Sequence, residues 1–430
     1  MKIYSLLVIL LGLLHMAYAG ELSRVAIGQK SIPEQAEVRM QLVHRMQHYE
    51  ANTTHAHDVY DASVYSPKSV NILDKKLKFY VQSLEGESTS VYSLKSYQLL
   101  KVIRHRFTAK NQYLFRDQNY FDYLFRTASQ QVNVFDGKPV ESCFSHEGKY
   151  LWVTYYRRSY DINAIDPSAL CIIDTDADTI VRVMPTAPLP KMITCSPDNK
   201  TIVVSHWGDN TVGLIDISSN QPLKFHYTAQ IAVDKRIENP LDTSVKIDRD
   251  NNCGNCIRGT VFTPDNRYVF VGKMGSNSCS VIDVFNKKNI GSIKGMRSNM
   301  RHLLIHDSFI YLSINKSGYV QKANWRELIQ HHLKHGSKKA FKKWQEVFVG
   351  PGARTICVSP NGRYVFAAVN QSSQIAVVNT SSMKVVATCL ADSYPVGMDI
   401  SADGRLLIVT AQGKANGGGN SVMLYQLSYQ

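Results

Sequence analysis

Residues 190–217, PKMITCSPDNKTIVVSHWGDNTVGLIDI, decide the fold. An apolar, β-branched run ends at Cys195. A turn follows at Ser196-Pro197-Asp198-Asn199, and a second run, Thr201 to Ser205, reaches His206 and Trp207. Gly208, Asp209 and Asn210 turn the chain into a third run ending at Asp216. Short β-branched segments bounded by turn residues read as strands. The pattern recurs around Leu73, Ser145, Thr263, His306, Ser359 and Ser401. TPDNRYVFVGKMGSNSCSVIDV from Thr263 and SPNGRYVFAAVNQSSQIAVVNT from Ser359 are clear copies, and PKSVNILDKKLKFYVQS from Pro67 aligns with Pro190 without a gap. Spacings of roughly 42 to 72 residues, built from short strands, predict a β-propeller with about four strands per blade. Seven anchors predict an all-β, seven-bladed ring, with insertions in the longer intervals.

These repeats resemble the YVTN (YncE-like) family, whose consensus runs roughly SPDG-x-x-(Leu/Tyr)-Tyr-Val-Thr-Asn and then Asn-Thr-Val-Ser-Val-Ile-Asp. The resemblance covers nearly the whole chain beyond residue 19. It implies one propeller domain over 20–430, with blades near 64–107, 138–188, 189–229, 254–295, 296–350, 351–392 and 393–430. It also implies that first strands line a central channel, and that fourth-to-first and second-to-third connections share one face, here called the top. The last repeat supplies only three strands. A lone N-terminal strand at 22–28 (Ser23 to Gly28) is expected to complete it and close the ring, leaving no free sheet edge.

Residues 1–19 read as a secretory signal peptide: Lys2, an apolar core from Ile3 to Leu14, and a small-x-small site at Ala17-Tyr18-Ala19. No later apolar run is long enough to span a bilayer as a helix. The expected location is therefore periplasmic or extracellular. Eight cysteines fit such a compartment, yet Cys143, Cys195 and Cys357 fall in first strands, and Cys171 and Cys279 in third strands, as small buried hydrophobes. Cys253 and Cys256 sit instead in a polar insertion. They are expected to form a local disulfide, with half a metal site or a redox pair as the alternatives. Glu34 to Glu50 reads as an amphipathic helix with Val38, Leu42 and Met46 on one face. His44 and His48 on it, with His55 and His57, are read as solvated, and neither a metal nor a cofactor is expected. GKANGGG from Gly413 is no phosphate loop, because no helix follows it.

A net charge of +14 favours acidic partners. Asn324 to Gln345, rich in Lys and His, reads as one or two basic helices on the bottom face, a possible contact for an acidic surface. Thr108 to Gly137 reads as an aromatic, helical cap. This cap and the insertions at Arg157, Gln230 and Gly413 are expected on the top, and loops gathered on one face of a rigid scaffold mark its functional face.

The residue five places before each anchor is Lys68, Val140, Lys191, Arg258, Arg301, Arg354 and Val396. Five of these seven are basic, although Lys and Arg together make up only 49 of 430 residues. Such a ring repels itself unless anions or carboxylates neutralise it; Glu141 and Asp399 are candidates for part of that task. The rest points to an anionic ligand held by guanidinium and ammonium groups. Second strands bring Tyr155, Tyr156, His206, Trp207, Lys273, Met274, Asn315, Asn370 and Gln412 to the same face, where aromatics beside basic and amide groups suit an acidic sugar or a nucleotide.

Three functions follow. The first is non-catalytic binding of an acidic glycan, sugar phosphate or nucleic acid. The second is an enzyme on the same face, an acidic-polysaccharide lyase or hydrolase with His206, His302 or Tyr155 as base. A partial resemblance to seven-bladed lactonases adds to this second reading: they carry Gly-Pro-Arg-His at a strand entrance, whereas here Gly350 to Thr355 lacks the His and Met300-Arg301-His302 lacks the Gly-Pro. The third is a protein-interaction scaffold.

Overall fold

The turn chemistry explains why the repeat is visible. Ser196 Oγ donates to Asp198 Oδ1 (2.6 Å) and accepts from the Thr201 backbone N–H (2.9 Å). Thr263, Ser359 and Ser401 build the same loop with Asp265, Asn361 and Asp403. The fourth residue is left-handed in all four (Asn199, Asn266, Gly362, Gly404), which favours Asn and Gly there. Each loop joins the first strand of a blade to its second.

The structure is a computed structural model, and it describes residues 25–49, 56–115, 134–158, 167–238, 244–245, 247–414 and 418–430. Its strands form seven sheets, the blades of a seven-bladed β-propeller, antiparallel except where the short edge strand Asp58–Tyr60 runs parallel to Val38–Gln47. The first strands are Pro67–Leu73, Phe135–Ser145, Pro190–Cys195, Ile257–Phe262, Met300–His306, Ala353–Val358 and Pro395–Ile400. Second and third strands carry the near-continuous apolar runs that fill the space between blades. Tyr364–Val369 and Tyr268–Lys273, for example, are buried at every residue.

Ring closure corrects two expectations. The strand that completes the seventh blade is Val38–Gln47, not 22–28, and it pairs antiparallel with Ser421–Tyr429 from Val38↔Tyr429 to Gln47↔Ser421. Residues 25–28 are not a strand but a strap, with the Val25 N–H donating to Asp392 and the Gly28 N–H to Leu42 O. Glu34 to Glu50 is accordingly not a helix. Val38, Met40 and Leu42 alternate into one core cluster with strand period, and a bulge between Leu42 and His44 turns Met46 into the cluster on the other face, although Val38, Leu42 and Met46 also satisfy a helical period. The helix lost to a partner strand at the other end of the chain.

Closure is locked by a buried ion network. Arg45 meets Asp58 at 2.5 Å and Asp392 at 3.0 Å, all three being at most 6% exposed. It also donates to Val25 O, and Gln47 donates to Asp58. Burial alone would depress the guanidinium, but hydrogen bonding to Asp58 and the charge of Asp392 raise it above its ordinary value.

The basic insertion forms a helix, Trp325–His335, capped by Asn324, and a 3-10 turn, Gly336–Lys338. It lies between the third and fourth strands of blade five. Of the expected helical cap at Thr108 to Gly137, the described part holds a short 3-10 segment, Ala109–Leu114, and the start of the strand Phe135–Ser145; residues 116–133 lie outside the described residues, as do the proposed signal peptide, His55 and residues 159–166 of the Arg157 to Pro167 loop.

Candidate functional site

The cation column coincides with a backbone irregularity. Every first strand shifts register against its second at the column position: between Pro67 and Val70, Pro139 and Ser142, Pro190 and Met192, Ile257 and Thr260, Met300 and His302, Ala353 and Ile356, and Pro395 and Gly397. Two residues earlier, six of the seven repeats hold a positive φ, at Ser66, Leu189, Cys256, Asn299, Gly352 and Tyr394. A left-handed residue followed by a bulge bends the strand and re-aims the extra side chain, here toward the axis. Leu, Cys and Tyr adopt such a φ only at a cost of about 1–3 kcal/mol each, so the surrounding fold imposes the geometry whatever the residue.

The five basic residues meet at this mouth. Lys68 is held well below its usual range, by burial first and then by the charges of Arg354, Arg258 and Arg301. Lys191 is lowered by burial and by Arg258 and Lys68. Arg301 is lowered by burial, Arg354 and Arg258, and Arg354 falls to about 10 through burial and Arg258. Arg258 acts on each of the other four, which groups the five side chains at one mouth.

Their neutralisation is uneven. Arg258 pairs with Glu141 at 2.9 Å, across the channel from blade four to blade two. Lys191 reaches Asp250 at 3.5 Å and lies 3.7 Å from the Tyr156 ring centre and 5.1 Å from that of Trp207. Among the described residues Lys68 donates to an amide, Gln412 Oε1, at 2.5 Å, and has no carboxylate within ion-pair distance. Arg354 has Tyr394, whose ring centre is 5.7 Å away and 4.7 Å from Lys414. Among the described residues, neither Arg301 nor Arg354 has a carboxylate within ion-pair distance, and the buried Nε of Arg301 has no hydrogen-bond partner. Asp399 does not neutralise the ring. It accepts from the Ile72 and Ile400 N–H groups, and burial pushes it up to about 7.

The remaining candidates divide. Tyr156 and Trp207 wall the mouth beside Lys191. Asn315 donates to Ala353 O, next to Arg354. Asn370 Oδ1 is buried without a partner, and its backbone N–H bonds Gly352, at the same strand entrance. Lys273 is spoken for by Asp234 (2.7 Å) and Ser292 (2.9 Å). His206 sits between Thr186 and Thr211 with both ring nitrogens bonded, and burial lowers it to about 4. Tyr155 is wholly buried, its hydroxyl bonded to His105. Neither is therefore free to take a substrate proton. His302 is near the ring, lowered to about 4 by burial and by Arg258, and its Nδ1 accepts from the Ile356 N–H at 3.4 Å. The sequence reading passed over Asp250, Tyr394 and Lys414. Tyr394 stands at the positive-φ position of its repeat, a signal that the column itself carried. Asp250 lies in an insertion with no repeat to align it. Cys253 and Cys256 form the expected disulfide, two residues before Arg258.

No family model matches the chain, and no curated protein matches it in sequence. Solved structures do. Kuenenia stuttgartiensis hydrazine synthase aligns with a TM-score of 0.56 at 13% identity, covering 89% of this chain and 99% of that one. The β-propeller domain of Myceliophteria thermophila Cps50 (Swd1) aligns with a TM-score of 0.56 at 10% identity, covering 85% and 97%. At such identities the likeness shows the propeller fold alone. Among the described residues no helix is long and apolar enough to cross a membrane.

Proposed function

We propose that this chain is an exported, YVTN-like propeller that binds an anionic ligand, an acidic glycan or similar molecule, at the top mouth of its channel. The observation that carries the reading is the pair Arg301 and Arg354: the first half-buried with its Nε enclosed and unsatisfied, the second buried, both facing other cations and without a carboxylate partner among the described residues. A buried polar group without a partner costs about 1–3 kcal/mol, and a carboxylate, sulfate or phosphate would satisfy it bidentately. Tyr156, Trp207 and Tyr394 add planar faces for a sugar ring or a base. Binding is favoured over catalysis because His206 and Tyr155 are locked in the fold. Export rests on the N-terminal segment and agrees with the disulfide.

The test is thermal unfolding of the protein without its first 19 residues in sulfate and in chloride at equal ionic strength, followed by calorimetry with uronate oligomers, sugar phosphates and single-stranded nucleic acid. Anion-specific stabilisation lost in Arg301→Ala and Arg354→Ala is the expected result. Equal melting temperatures in both salts and no heat with any probe would reject the reading. Cell fractionation and N-terminal sequencing test export separately.

A further inference from the structure

Asp250 belongs to the insertion between blades three and four, not to a strand, yet it is the most heavily contacted acid of the mouth. Its carboxylate accepts from Tyr156 Oη and the Arg157 guanidinium and faces Lys191 Nζ at 3.5 Å. Its backbone carbonyl accepts from the Trp207 indole N–H at 3.2 Å. The loop is secured locally on both sides. Asp248 Oδ1 accepts from the Asp250 N–H, Arg249 donates to Glu238 O and Asn252 O, and the Cys253–Cys256 disulfide precedes the strand of Arg258.

Two features separate this acid from a structural one. It stays 25% exposed, whereas Asp392, which holds the closing seam, is 1% exposed. Its contact with Lys191 is also longer than the 2.7–2.9 Å typical of a charge-assisted hydrogen bond, so the carboxylate is held by Arg157 and Tyr156 and neutralises the ring lysine only loosely. The aromatic pair, a cation and a carboxylate between them make the arrangement expected for a bound acidic sugar, with the carboxylate supplied by the chain itself.

Building on the proposed anion site, we propose that Asp250 is a tethered stand-in for one anionic group of the ligand. It occupies the Lys191, Tyr156 and Trp207 side of the ring, while Arg301 and Arg354 take the other group. The ligand is then a polyanion with at least two charged groups, and it binds by displacing Asp250. A compact monomeric anion binds the arginines and leaves Asp250 in place. A tethered competitor weakens a ligand that needs its position and leaves unaffected one that does not.

The experiment compares wild type and Asp250→Asn by calorimetry, with inorganic sulfate as the compact probe and a galacturonate tetramer as the extended one. The expected result is a roughly 5- to 50-fold gain in tetramer affinity, with sulfate affinity changed less than about twofold. Tetramer affinity that is unchanged or reduced in Asp250→Asn, while sulfate still binds, would overturn the displacement and leave the anion site standing. Absence of binding by either probe to either protein would remove the anion site and this inference with it. Tryptophan emission of the wild type gives a second readout that needs no folded variant at position 250. The tetramer should shift emission and sulfate should not, and the shift should vanish in Trp207→Phe. A shift identical with both probes would also count against displacement.

Discussion

The closing seam and the channel mouth each bury arginine, and they treat it in opposite ways. At the seam, one guanidinium, Arg45, lies between two carboxylates and is raised above its ordinary value. At the mouth, Arg301 and Arg354 face other cations, lack carboxylate partners among the described residues, and are lowered. A seam arginine that is fully neutralised holds two ends of a chain together. A mouth arginine left short of negative charge is a cost to folding that an external anion removes. Supply of counter-charge, more than burial or residue type, separates the seam cation from the mouth cations proposed to bind a ligand.

The largest effect should come from breaking the seam. Arg45→Ala leaves Asp58 and Asp392 buried without their partner, and chemical denaturation should show a loss of about 3–5 kcal/mol. The same change at the mouth sharpens the contrast. Arg301→Ala or Arg354→Ala should leave the stability of the free protein unchanged or slightly higher while weakening anion binding by about 1.5–3 kcal/mol, read by calorimetry. If either mouth variant unfolds as readily as Arg45→Ala, the two regions are alike and the comparison fails.

Acid should separate the regions less sharply. His206 and His302 are lowered to about 4 in the fold, so between pH 6.5 and about 4 the unfolded chain binds more protons, and stability falls as pH falls. Each should contribute about 1 kcal/mol of loss between pH 6.5 and 5.5. His302→Gln should flatten that part of the urea-derived stability profile. Asp399, raised to about 7, acts with the opposite sign: below pH 7 the folded state binds the extra proton, and stability is gained as pH falls toward the ordinary carboxylate range. Asp399→Asn should therefore steepen the acid loss. The smallest effect belongs to the exposed basic insertion underneath. Lys338→Ala and Lys339→Ala should change stability by less than about 0.5 kcal/mol and leave sulfate protection intact. Lost protection in these variants would move the anion site away from the mouth.

The repeat was legible because four of its seven turns share one chemistry, a hydroxyl at the anchor, an Asp or Asn acceptor two residues on and a left-handed residue after that, while the turns at Leu73, Ser145 and His306 were found by the strand pattern around them. The cation column was legible for the same reason, since a fixed register places equivalent residues at equivalent points of the ring. Val38 to Gln47 was misread because its apolar residues fit both a helical and a strand period, and no local feature arbitrates between them. His206, Tyr155 and Lys273 stood in the right register for the top face, yet their partners Thr186, His105 and Asp234 come from neighbouring strands and loops that no repeat position announces.

The sequence by itself determined the all-β ring, its seven blades and the charge that gathers at one end of the channel, because these follow from local turn chemistry and from periodicity. Only the tertiary structure decided which strand closes the ring, which cations Glu141 and Asp250 neutralise, and which two arginines lack a carboxylate partner among the described residues. Those outcomes depend on contacts between residues far apart in the chain, such as Arg45 with Asp392 and Arg258 with Glu141, and their energies are set by burial that no single segment encodes.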